Sequence, residues 1–224
     1  MDWDKIHQHL TTQISKTDIK VLPEYTVGKR DIVFVGSNDV DNVIKEIAKS
    51  NIIGFDTESR PTFKKDDFSG ISLIQIATTD ACYLFHETKV QGKFSALKPI
   101  LESDDITKVG TGLKSDKSML QQHYDIQARS LLDTANIFST LGKHNGMDTG
   151  AKQMVAVVLN KQLRKSKKSC TSNWSKLPFR QGQIKYASED ATAPFDCYQN
   201  LLDLFRKHHD RLPNKLKEVI QYNI

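Results

Sequence analysis

The sequence predicts an α/β fold: a mixed sheet of antiparallel and parallel strands, flanked by helices. Three observations carry this expectation. Gly70-Ile-Ser-Leu-Ile-Gln-Ile-Ala77 and Ala81-Cys-Tyr-Leu-Phe85 read as two strands joined by the short turn Thr78-Thr-Asp80, which suits a hairpin. Ile52-Ile-Gly-Phe-Asp56 is apolar nearly throughout, as expected of a central strand covered on both faces. Beyond these, strand-like and helix-like segments alternate to the end of the chain.

Taken in order, residues 1–28 read as an irregular or helical N-terminal extension that closes at Leu22-Pro-Glu-Tyr25. Asp31-Ile-Val-Phe-Val35 has the composition of a strand. Ser37-Asn-Asp39 supplies cap-type residues for a helix over Val40–Lys49, whose Val40, Val43, Ile44 and Ile47 fall at helical spacing. The three strands named above follow. Then come a helix near Ser95–Leu101, a strand at Ile106–Val109, a helix from about Leu113 to His123 and a short strand at Ser130–Leu132. Helices near Thr134–Leu141 and Asp148–Leu159 precede a long terminal helix from about Gln181 to His208. The expected body is residues 29–210, with 211–224 as a C-terminal tail.

With 224 residues the chain is long enough to bury a core without disulfides or structural metal. No apolar run approaches the ~18 residues of a membrane helix, and the N-terminus lacks the pattern of a secretory signal. Cys82, Cys170 and Cys197 are odd in number, far apart and without a C-x-x-C pair. They favour neither a disulfide framework nor a thiolate zinc site, and so point to a reducing intracellular compartment, nuclear or cytoplasmic. The net charge of +5 is unevenly spread. Nine cations and no acid lie between Ala151 and Lys185, while the remaining 23 cations face all 27 acids. Such a strip suits a polyanionic partner; a solvated face is the plainer reading.

Asp56 and Glu58 stand at i and i+2 of a predicted strand, so both carboxylates face the same side and can hold a cation between them. Tyr186 and Asp190 stand four apart on a predicted helix and share a face. Asp116 falls near the start of a helix, where it also complements the dipole. Gly110-Thr-Gly112 after a strand, with Asp133 about twenty residues later, gives a competing dinucleotide-binding pattern that lacks its third glycine.

Together, Asp-x-Glu on a strand, Asp at a helix start and Tyr-x-x-x-Asp on a late helix resemble the three motifs of the DEDD 3′–5′ exonuclease superfamily, tyrosine subclass. The likeness spans about residues 30 to 207 and is greatest to the Werner-type exonuclease domain. Ser72-Leu-Ile-Gln-Ile76 and Cys170-Thr-Ser-Asn-Trp-Ser-Lys-Leu-Pro178 belong to it. The chain departs from the family pattern at Ser59-Arg60 and in Gly146-Met-Asp-Thr-Gly-Ala151.

The resemblance implies a ribonuclease H-like fold and hydrolysis of nucleic acid from single-stranded or recessed 3′ ends, releasing nucleoside 5′-monophosphates. It assigns Asp56, Glu58 and Asp190 to one metal ion, Asp56 and Asp116 to a second, and Tyr186 to orienting the attacking water. All-oxygen ligation favours Mg²⁺ or Mn²⁺ over zinc. Arg164 and Lys168 become candidate phosphate contacts. Trp174 is either a stacking platform for a base or a core residue packed on the terminal helix. A catalytically silent nucleic-acid-binding module of the same fold is the alternative from another class, but it would have no chemical need for so repulsive a set of acids.

Overall fold

The computed structural model describes residues 2–60, 70–141 and 148–220. Six strands form one sheet: β1 (Asp31–Phe34), β2 (Ile52–Ser59), β3 (Ile71–Ala77), β4 (Ala81–His86), β5 (Thr107–Gly110) and β6 (Leu131–Asp133). Their order is β1-β4-β3-β2-β5-β6. β3 runs antiparallel to both β2 and β4, whereas β1–β4, β2–β5 and β5–β6 are parallel pairs. This is the mixed sheet expected, with the hairpin where Thr78–Asp80 predicted it.

The helices are α1 (Trp3–Leu10), α2 (Lys16–Val21), α3 (Val40–Ile47), α4 (Lys98–Leu101), α5 (Lys114–Tyr124), α6 (Thr134–Leu141), α7 (Ala151–Leu159), α8 (Lys167–Cys170), α9 (Gln181–Lys207) and α10 (Asn214–Ile220). Among the described residues none is long and apolar enough to cross a membrane. Several boundaries differ from expectation for local reasons. α7 starts at Ala151 rather than Asp148 because Gly150 is still extended, with ψ of 158°. The last strand starts one residue late because Ser130 has a φ of 47°, which no strand residue adopts. The helix expected near Ser95–Leu101 is divided into a 3₁₀ turn over Lys93–Leu97 and the single turn of α4. Gly146 and Met147, part of the departure noted above, lie outside the described residues.

One sheet face packs on α3, α4 and α5 through Ile53, Phe55, Ile74, Ile76, Leu97 and Leu120, all fully buried. The other face receives α9, whose small residues Ala187 and Ala191 meet Leu73, Ala77 and Leu84. A third cluster joins α9 to the two ends of the chain. Trp3, Ile6 and Leu10 of α1 and Leu212, Leu216 and Ile220 around α10 lie in it with Phe138, Val155 and Phe205. Both flanking segments therefore share the core of the body. Beyond α2 the N-terminal segment pairs with the basic strip: Tyr25 N–H donates to the Gln162 carbonyl at 2.9 Å, and Gln162 N–H to the Pro23 carbonyl at 2.8 Å.

Candidate active site

β2 was expected to end at Asp56. It continues to Ser59 because β3 keeps pairing with it, Asp56 opposite Gln75 and Glu58 opposite Leu73, up to a register shift after Glu58. Asp56 and Glu58 thus sit within a hydrogen-bonded strand, with side chains on the face that α9 covers. Gly54 lies on the same face. A Cβ there would stand 2.1 Å from the carbonyl oxygen of Ala191, so strand and helix meet backbone to backbone. A glycine inside a strand commonly marks such an approach. Here it sets Asp190, the neighbour of Ala191, over Asp56.

The convergence is close. Asp56, Glu58 and Asp190 each offer a carboxylate oxygen, and those atoms lie within 4.8 Å of one another. Asp116 is buried beside the three but outside that set, since its Oδ1 accepts a hydrogen bond from the Thr57 hydroxyl. Thr57 points away from Asp56 and Glu58 by strand alternation, and so holds Asp116 to one side. Tyr186 is buried one helical turn before Asp190, with its ring 5.9 Å from that of Trp174.

A cation not anticipated from the motifs completes the cluster. Lys165 places Nζ 2.9 Å from Asp190 Oδ1 and 5.9 Å from the centre of the Tyr186 ring. Among the described residues this ammonium is the one cation paired with that buried oxygen. Burial alone would lower the Lys165 pKa, but the charges of Asp190, Asp56 and Glu58 outweigh it and raise it.

The acids are pushed up as well, which for a carboxylate favours the neutral form. Burial raises Asp56, with the charges of Asp190 and Asp116 adding to it. Glu58 is pushed up to about 10 by burial and then by Asp56 and Asp190. Asp190 is raised by burial against the pull of Lys165, and Asp116 is raised by burial. At ~4 Å and an effective dielectric near ~20, each like-charged pair costs on the order of 4 kcal/mol. One ammonium offsets only part of this repulsion. A hard divalent cation fits the set: the ligand atoms on offer are all carboxylate oxygens, crowded within 4.8 Å of one another and buried with a single ammonium against them.

Two expectations are corrected. Trp174 is no stacking platform. Its indole is fully buried, edge-on to Phe179 at 5.3 Å, and the backbone is pinned by His86, whose Nε2 lies 3.0 Å from the Trp174 carbonyl. Because Thr88 N–H donates to His86 Nδ1, the proton sits on Nε2 and that nitrogen is the donor. The dinucleotide pattern fails as well. Asp133 Oδ2 accepts from the N–H groups of Gly112 and Leu113 at 3.0 and 3.1 Å, so the supposed ribose acid closes the very loop a pyrophosphate would occupy. Arg164 is exposed, 3.4 Å from Glu24, and Lys168 is exposed on α8.

Besides Lys165, the sequence reading gave no role to Gln75, whose signal was a polar residue in an apolar strand. It lies opposite Asp56, fully buried, and among the described residues its amide makes no hydrogen bond.

With this geometry in view, the comparisons are consistent. A family model described as 3′–5′ exonuclease matches residues 33–205. The mouse bifunctional 3′–5′ exonuclease/ATP-dependent helicase WRN is 29% identical over 190 residues, which cover 80% of this chain and 13% of that protein. A 3′–5′ exonuclease of Arabidopsis thaliana is 28% identical over 159 residues, covering 68% of this chain and 53% of the relative. The chain thus spans from about an eighth to about half of these relatives. The Nibbler EXO domain of Aedes aegypti superposes with a TM-score of 0.71 at 20% identity, covering 96% of this chain and 99% of the other. RNase D of Escherichia coli gives 0.69, also at 20% identity, covering 87% of this chain and 49% of the other. These superpositions identify the fold as that of ribonuclease H-like exonucleases. The family model, matched over most of the chain, supplies the rest: the protein belongs to the 3′–5′ exonuclease family.

Proposed function

We propose that the chain is a metal-dependent 3′–5′ exonuclease that hydrolyses the terminal phosphodiester of a nucleic acid strand. The observation that carries this reading is the meeting of Asp56, Glu58 and Asp190, from a central strand and a long helix, within 4.8 Å, with Tyr186 one helical turn before Asp190. Asp56, Glu58 and Asp190 would hold one Mg²⁺ or Mn²⁺, and Asp56 with Asp116 a second. Ions bound there would neutralise the acids, acidify a water and draw charge from the scissile phosphate.

The protein's own groups do the rest. Tyr186 stays protonated, because burial and then the charges of Asp190 and Glu58 raise its pKa. It therefore acts as a hydrogen-bond donor that orients the attacking water and not as its base. Lys165 balances the acids and stands where a phosphate oxygen can meet it. Arg164 extends the positive surface for phosphates further along the strand, while Lys168 lines a separate, smaller cavity. The water oxygen joins phosphorus and releases a proton to solvent, the bond from phosphorus to the 3′ oxygen breaks, that oxygen takes a proton from solvent, and a nucleoside 5′-monophosphate leaves a strand one residue shorter.

The test is digestion of 5′-labelled DNA and RNA oligomers, single-stranded or with recessed 3′ ends, in Mg²⁺ or Mn²⁺. A ladder shrinking one nucleotide at a time from the 3′ end is expected. Asp56→Ala and Asp190→Ala should each lower cleavage by at least about 10³-fold, the loss of some 4 kcal/mol of transition-state stabilisation. Binding in Ca²⁺ should persist in both. Digestion by either variant at the wild-type rate would refute the assignment, and binding without any wild-type cleavage would favour a silent module.

A further inference from the structure

A cavity of about 670 Å³, lined in part by Lys165, opens between α2, the start of α7 and residues 162–166. This volume lies within the roughly 300–1,000 Å³ typical of ligand clefts. Lys16, Lys20, Lys152, Arg164 and Lys165 line it, and among the described residues Asp148 is its one acid. The cations come from three separate parts of the chain, so the charge is not simply that of the basic strip. Lys16 and Lys20 stand four apart on α2 and therefore on one face, a like-charged spacing that weakens so short a helix. Among the described residues Lys16, Lys20 and Lys152 form no ion pair. Ile14 and Ile19, both half-buried, add apolar surface, and among the described residues no aromatic ring lines the cavity.

We propose that this cavity seats the substrate strand immediately 5′ of the terminal nucleotide, with Lys16, Lys20 and Lys152 on its phosphates. The inference rests on the exonuclease reading above and adds where the strand runs. Lys165 supplies the link: one side chain lines the cavity and reaches Asp190 among the acids, so a strand whose last phosphate lies at the nest passes directly into the basic cleft. With no aromatic platform among the described residues, the cleft grips backbone and not bases, and its hold is independent of sequence and weakened by salt. The N-terminal segment thereby becomes one wall of the substrate path. A second cavity, of about 270 Å³, holds Lys168, Lys176 and Arg180 but includes none of the residues of the nest.

The test measures binding of labelled single-stranded trimers and octamers by the full chain in Ca²⁺ across a salt series, with wild-type cleavage in Mg²⁺ or Mn²⁺ as the reference. Wild type should bind the octamer at least about tenfold more tightly than the trimer. Lys16→Glu with Lys20→Glu, and separately Lys152→Glu, should remove most of that advantage. The slope of log affinity against log salt should fall by about 0.7 for each phosphate that a lysine no longer neutralises. Lys45→Glu with Lys49→Glu, the same charge change around α3, should keep the octamer advantage.

A cleaving wild type whose octamer affinity survives the α2 and Lys152 changes would overturn the inference and leave the exonuclease reading standing. So would disappearance of the advantage on changing Lys176 and Arg180 to Glu instead, since the strand would then run through the second cavity. Equal weakening of nucleoside monophosphate binding by the α2 changes would assign the cavity to product, and also overturns it. A wild type that neither binds nor cleaves oligomers removes both proposals.

Discussion

The carboxylate nest and the basic cleft beside it are built by opposite means. Each nest residue hangs from a continuous element: Asp56 and Glu58 from a strand that β3 pairs through both of them and β5 anchors at its start, Asp190 and Tyr186 from a helix of 27 residues lying on that strand. The cleft takes its cations from a two-turn helix, the start of another helix and an irregular segment, and most of its lysines are exposed. Reacting atoms demand positions fixed to fractions of an ångström, whereas a phosphate backbone needs only charge of the right sign nearby. Substitutions that shift backbone should therefore ruin the nest, while the cleft should respond in proportion to charge.

The largest effect expected from a residue that bears no charge is at Gly54. Changing Gly54→Ala brings a methyl against the Ala191 carbonyl, and neither backbone can yield without moving Asp190 away from Asp56. Cleavage should drop at least about 10²-fold, because misplacement by about 1 Å costs that much, in protein that still shows a cooperative melt. Near wild-type turnover in this variant would mean that the strand–helix contact does not position the site.

Trp174 separates the two regions next. As a core residue packed on Phe179 and Tyr186, its replacement by Ala should cost about 3–5 kcal/mol of stability by denaturant titration. Octamer affinity per folded molecule should stay within a few-fold of wild type. If affinity collapses while stability holds, the indole is a base-stacking residue after all.

How much of this could be read beforehand follows from where each fact is encoded. Asp56, Glu58, Tyr186 and Asp190 were legible because strand and helix periodicity decide which side chains share a face. The hairpin and parallel strands were legible from turn residues and apolar runs. The extension of β2 through Ser59 was hidden, since it depends on register with β3. The sideways position of Asp116 was hidden too, because it hinges on a hydroxyl from a residue 59 positions away. Lys165 was one of nine similar cations, and nothing local distinguishes the one whose segment is tied to the N-terminal arm at Gln162.

A smaller effect concerns pH. Asp56, Glu58 and Asp190 all keep protons to higher pH when folded, Glu58 to about 10 against its ordinary 4.5. Between those values the folded chain binds more protons than the unfolded one, so without divalent ions stability falls as pH rises. Metal-free protein should melt lower at pH 8 than at pH 6, by about 2–4 °C for each kcal/mol lost, and Mg²⁺ should raise the melting temperature more at pH 8. Asp56→Asn, with one repelling charge removed, should melt higher than wild type in chelator. A melting temperature indifferent to pH and to this change would show that the acids are not mutually repelling.

The most direct test is a crystal structure with Mn²⁺ and an anomalous difference map. The account predicts a peak about 2.1 Å from carboxylate oxygens of Asp56, Glu58 and Asp190, with the Lys165 ammonium moved off Asp190 Oδ1. Full Mn²⁺ with no peak there, and Lys165 still paired to Asp190, would contradict it.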